Sequence, residues 1–181
     1  TALIAQGANA KIDSINGGVV TSTGNVNVGS ISAGSTLNIS SGGKLTNIGG
    51  ATSTSISGGN LNVSSGGIIE TPVVASGGSI SLNDGSAITA SVKISGASLS
   101  INSSSTVNTT QPISVDSGQI TINGKLSSNS TSANIAMSGG TLTLGNGSIL
   151  DAPVSATGGS VVLGDGSTIS KNINISGATL S

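Results

Sequence analysis

The chain has 181 residues and a net charge of −1, set by five lysines and six acids, and it contains no His, Cys, Phe, Tyr or Trp. With no basic cluster and no aromatic ring for a base to stack on, nucleic acid is excluded as a partner. Lack of Cys removes disulfides and thiolate metal sites and suits export through an oxidising compartment. No apolar run approaches the ~20 residues of a membrane-spanning helix, and the first residues, TALIAQGANAKID, lack the layout of a secretory signal, so the chain itself is expected to be soluble. Gly, Ser, Thr and Asn dominate the polar positions. A flexible linker has that composition too, but it would not place Ile, Leu and Val at fixed intervals. Frequent β-branched residues favour strands over helices.

From residue 1 to about 30 the pattern is irregular, with Val19, Val20, Val26 and Val28 between Gly-rich turns, and is read as strands in imperfect copies of a repeat. The first clear copy opens at Leu37, and later copies open at Leu61, Ile80, Leu99, Ile120, Leu142, Val161 and Leu180. Their separations are 24, 19, 19, 21, 22, 19 and 19 residues. Self-similarity at such a period marks a solenoid. The stretch 76–94, SGGSISLNDGSAITASVKI, shows one unit: Ile80 and Leu82, then Ile88, then Val92 and Ile94 are its apolar positions.

The first pair, with a polar residue between its members, has the two-residue alternation of a strand. We call it strand a, and the strands around Ile88 and Val92–Ile94 b and c. Segments such as NDGS and SGGS between them are turn chemistry. About 20 residues cannot close a sheet alone, so each coil must bond to those above and below. The expectation is all-β: a parallel β-helix with three short strands per coil and 19–24 residues per coil, in which residues 31–181 form one continuous solenoid.

Pro72, Pro112 and Pro153 each precede the apolar residue that opens strand c, a position suited to a residue with no N–H for a ladder. Length variation gathers in the b-to-c connection, around 48–53, 108–112 and 127–134. In solenoids such insertions share one face, often the binding face. The candidate interaction loops are therefore Asn108, Thr109, Thr110 and Gln111, with Ser128, Asn129, Ser130 and Thr131.

A catalytic reading finds little. Glycoside hydrolysis wants two carboxyl groups roughly 5–9.5 Å apart. The acids are Asp13, Glu70, Asp84, Asp116, Asp151 and Asp165. The repeat puts Glu70 in a column with Asp151 and Asp84 in a column with Asp165, each pair about 19 Å apart over four coils. Asp84 and Asp165 precede Gly in tight turns, where Asp serves local hydrogen bonding. No His is present to activate a hydroxyl, and a Ser–Lys pair through Lys93 or Lys171 competes with ordinary solvated lysines.

The tandem Gly- and Asp-rich nonapeptide of calcium-binding solenoids is absent. Asp151 and Lys171 are expected to pair across adjacent coils. The outward residues of strand a mix Asn, Ser, Thr and Val, unlike the regular Thr array of an ice-binding face. Asn-x-Ser/Thr triplets at Asn38, Asn62, Asn102, Asn108, Asn129, Asn146 and Asn174 matter only where the source glycosylates them. No enzyme activity, cofactor or metal is expected.

The copies ISAGSTLNISSGGKLTN, ISGGNLNVSSGGIIETP and MSGGTLTLGNGSILDAP resemble the Gly-, Ser- and Asn-rich coils of secreted bacterial β-helix proteins, the autotransporter passengers and filamentous-haemagglutinin-like exoproteins. The resemblance covers about residues 30–181. It implies a right-handed β-helix displayed on, or released from, a Gram-negative cell as an adhesin or stalk, with a host or neighbouring-cell receptor or glycan as partner and a place in virulence. The chain stops within strand a of a new coil, so a fragment of a longer rod is expected, or a subunit that self-associates through its ends into a filament or surface layer. A carbohydrate-active enzyme or phage-tail depolymerase is the remaining alternative.

Overall fold

The computed structural model describes residues 1–131 and 134–181. Among them the chain is all-β, with every strand pairing parallel and about nine turns of a β-solenoid. Strand a forms one unbroken column: Ala2, Val20, Leu37, Leu61, Ile80, Leu99, Ile120, Leu142, Val161 and Leu180 are each opposite the next. Every repeat start read from the sequence lies in it. The irregular first 30 residues extend the same column through Val20 and Ala2, in coils of 18 and 17 residues (2 to 20, then 20 to 37). Their signal is weak because these coils are shorter than the later ones and Ser22, Asn27 and Ser35 interrupt their buried apolar positions. Ser22 stands where later coils have Ile39 and Val63, and its buried hydroxyl donates to the Gly24 carbonyl at 3.0 Å.

Side chains alternate along each strand, so the apolar members of a, b and c converge on one narrow interior. Leu37, Ile39, Leu45, Leu61, Ile69, Ile80, Ile88, Ile94, Ile120 and Leu126 have no solvent exposure at all. Burying a Leu or Ile contributes roughly 1.5–3 kcal/mol, and about twenty residues per coil supply several such side chains. Stability therefore accumulates coil by coil, since each coil touches only its neighbours.

Two details depart from the three-strand unit. Between c and a the chain does not break in the middle coils: Thr54–Val63, Val73–Leu82, Val92–Ile101 and Ile113–Ile122 are single ten-residue strands, irregular in register at the Gly-rich corner beside Ser57 and Ser95. In the first coils b and c are fused instead, as Asn9–Ile15 and Asn25–Ser32. The prolines stand in one column, as expected. Each precedes strand c and offers only its carbonyl, which accepts from Thr54, Val92 and Ile135 N–H at 2.8, 3.2 and 2.9 Å for Pro72, Pro112 and Pro153 respectively. The missing N–H costs this position nothing.

Candidate interaction site at the b-to-c corner

The b column is continuous from Ala10 through Val26, Leu45 and Ile69 to Ile88, and again from Val107 through Leu126 and Leu150 to Ile169. Between these runs it steps by two residues. Ile88 is opposite Thr109 and Ala87 opposite Asn108, where equal spacing had put Ile88 beside Val107. The Thr106 N–H is taken by the Asp84 carboxylate at 3.1 Å, and the ladder to the coil below resumes only with Asn108 N–H to the Ser86 carbonyl at 3.4 Å. Asp84 thus bonds across coils as well as shaping its turn.

This step corrects the acid columns. Asp151 is opposite Ser127, which follows Asn108, Ala87 and Ile68 in register, so Asp151 does not share a column with Glu70. Glu70 is instead paired with Lys44 at 2.7 Å.

Alternation along the two b strands, Thr106–Thr109 and Lys125–Ser128, decides which loop residues face outward, because Thr109 shares the inward face of Val107 and Ser128 that of Leu126. Thr109 and Ser128 are paired with one another and turned inward, 2% and 7% exposed, which removes their side chains from the surface the sequence assigned them. Each closes the same tight turn. Thr109 Oγ1 donates to the Gln111 carbonyl at 2.8 Å and accepts the Gln111 N–H at 3.4 Å, while Ser128 Oγ donates to the Ser130 carbonyl at 3.0 Å and accepts the Ser130 N–H at 3.2 Å. Local bonding of this kind is what Ser and Thr offer at turns. Asn108, Thr110, Gln111, Asn129 and Thr131 remain exposed, and Ser130 is half-buried.

Ser128, Asn129, Ser130 and Thr131 form one wall of a cavity of about 390 Å³ whose other wall is Pro153 and Lys171, from the two coils that come next. The volume is within the ~300–1,000 Å³ of small-molecule pockets. Residues 132–133 of this connection lie outside the described residues. Lys171 is 3.4 Å from Asp151, the pair the repeat anticipates, and Asp151 also accepts the Ser170 hydroxyl at 2.7 Å. Chiefly that hydroxyl, with the Lys171 and Lys125 charges behind it, holds the Asp151 carboxyl below the usual aspartate value. The cavity presents the Thr131 hydroxyl and the Asn129 amide, with the Lys171 ammonium balanced by Asp151 behind it. Such a set hydrogen-bonds a neutral polar ligand better than it attracts a charged one.

The first long connection, 48–53, is pinned down. Asn27, 2% exposed, donates to the Thr46 and Ala51 carbonyls at 3.1 and 2.8 Å and accepts the Ala51 N–H at 2.6 Å, and Lys11 donates to the Gly49 carbonyl at 3.2 Å. A lone Asn in a Val-rich strand gave no sign of this. Lys93 pairs with Asp116 at 2.8 Å, so both lysines a Ser–Lys pair would need are engaged with carboxylates. Among the described residues no three His, Cys, Asp or Glu are grouped to hold a metal, and no helix is long and apolar enough to cross a membrane.

This geometry defines the class as a parallel β-solenoid with a polar corner cavity. No family model, curated protein or solved structure matches the chain.

Proposed function

We propose that the chain is a structural and adhesive rod within an extracellular bacterial surface protein, holding its b-to-c corner toward a receptor or glycan on another surface. The observation that carries this reading is the unbroken a column from Ala2 to Leu180. A ladder of about nine turns at about 4.8 Å per turn is a rigid spacer of about 43 Å. Its interior is mainly aliphatic and its exterior mainly hydroxyl and amide, as suits a stalk in water. The Gly-, Ser- and Asn-rich coils, similar to those of secreted bacterial β-helix proteins, support the same reading, and so does a corner where loop length varies while the rod does not.

Two measurements test it. Protease added to intact producing cells should remove the chain, and cells should lose adhesion to surfaces coated with neutral glycans when Asn129 and Thr131 are both replaced by Asp. Protection from protease, or adhesion indifferent to those changes and to deletion of the rod, would reject the proposal.

A further inference from the structure

Of the seven Asn-x-Ser/Thr triplets, the structure separates those whose asparagine is committed to the fold from those that are not. Asn62 donates to Asn38, and Asn38 to the Thr21 hydroxyl at 3.3 Å, so both belong to a half-buried ladder along the outside of strand a. Asn102 donates to Asn83, and the Asn146 side-chain oxygen accepts the Asp165 N–H at 3.0 Å. Asn108 and Asn174 lie within strands, Thr106–Thr109 and Ile173–Ile175. Asn129 alone is exposed, outside any strand and without a side-chain hydrogen bond among the described residues. Its triplet partner Thr131 is exposed beside it, and both line the 390 Å³ cavity closed by Pro153 and Lys171.

We infer that Asn129 is a glycosylation acceptor and that the corner cavity seats the first sugar. The bond formed joins Asn129 Nδ2 to the anomeric carbon of a sugar activated as a glycosyl diphosphate. The bond broken is that carbon's bond to the diphosphate oxygen, which leaves with the electron pair. The amide proton passes to a base of the transferase. No oxidant or reductant is required. An exposed loop with a hydroxyl two residues on is the setting such acceptors occupy. Here the Ser128 turn fixes the base of the loop, and Asn129 and Thr131 beside it are exposed. A sugar on Asn129 would enter a cavity lined also by Thr131, Pro153 and Lys171, which would hold it against the rod.

The inference rests on the reading of the chain as an exported surface protein. Its test is peptide mapping by mass spectrometry of the protein isolated from the cells that make it, run beside protease shaving of the same cells. The expected result is a hexose-type mass addition on the peptide holding Asn129, lost in Asn129→Gln and in Thr131→Ala and kept in Asn108→Gln. A surface-exposed chain with an unmodified Asn129 overturns this inference alone. A chain that stays inside the cell unmodified overturns it together with the reading beneath it. Sugar on Asn38 or Asn62 with none on Asn129 also overturns it, because the choice made by hydrogen bonding would then be wrong.

Discussion

Ile88 stands opposite Thr109 at the same separation by which Val92 stands opposite Ile113 (88 to 109 and 92 to 113 are both 21), whereas Leu82 and Ile101 in strand a are 19 apart, so the two extra residues of this coil fall before b and not between b and c. The Thr109 hydroxyl is buried with its bonds made. Thr109→Val keeps the shape and removes both bonds, leaving the Gln111 carbonyl and N–H short of a partner. A loss of about 1 kcal/mol in unfolding free energy is expected, read as a lower urea midpoint at unchanged slope. No loss would mean the turn does not depend on Thr109.

Ser104 has φ 63° at the turn position held by Gly42, Gly66, Gly85, Gly147 and Gly166 in other coils. A left-handed conformation costs a residue with a side chain roughly 1–2 kcal/mol, partly offset by the greater chain entropy of Gly. Ser104→Gly should therefore raise stability by about 0.5–1 kcal/mol, measured by the same denaturation.

Two glycines with similar φ separate conformational cost from collision. Gly147 (φ 70°) has open space around the position of a Cβ, whereas a Cβ on Gly159 (φ 82°) would strike the backbone carbonyl oxygen of Gly140 in the coil below. Gly147→Ala should cost about 1–2 kcal/mol, and Gly159→Ala about 2–4 kcal/mol, since backbone cannot step aside as a side chain can. Equal losses would remove the close approach of coils at the c-to-a corner.

Acid should weaken the rod at its exposed carboxylates. The Lys93 ammonium first, then the Ser138 hydroxyl, holds Asp116 below the ordinary aspartate value of 3.8, and the Ser170 hydroxyl and Lys171 do so for Asp151. A carboxyl depressed on folding contributes stability that is present above its unfolded value and lost as pH falls through the folded one. Stability should thus be level near neutrality, where no His titrates, and decline below about pH 4. Asp116→Asn with Asp151→Asn should flatten that decline in melting scans. An unchanged acid limb would place the titrating groups elsewhere.

The repeat was legible because an aliphatic side chain at a fixed offset can do little but point inward, and Leu37, Ile80 or Val161 has no competing role. The proline column was legible for the equally local reason that a missing N–H restricts where Pro72 can sit. What escaped was set between coils. Ile88 meets Thr109 and not Val107, and the Asp84 carboxylate takes the Thr106 N–H left out of the ladder; no spacing within one coil encodes that arrangement. Asn27 looked like any outward strand polar residue until the loop it clamps was in place. The candidate corner was half visible: insertions marked its position, but strand b runs on to Thr109 and Ser128, where alternation turns both side chains inward.

Spin labels on outward residues of strand a measure the stacking directly. With one label at Asn38 and the other at Ser100, Thr121, Thr143 or Val162, the pairs are three, four, five and six coils apart in register. Electron–electron dipolar distances should rise in even steps, about 14, 19, 24 and 29 Å, at about 4.8 Å per coil. Distances that do not increase with coil number, or broad distributions scaling with chain length, would contradict the solenoid.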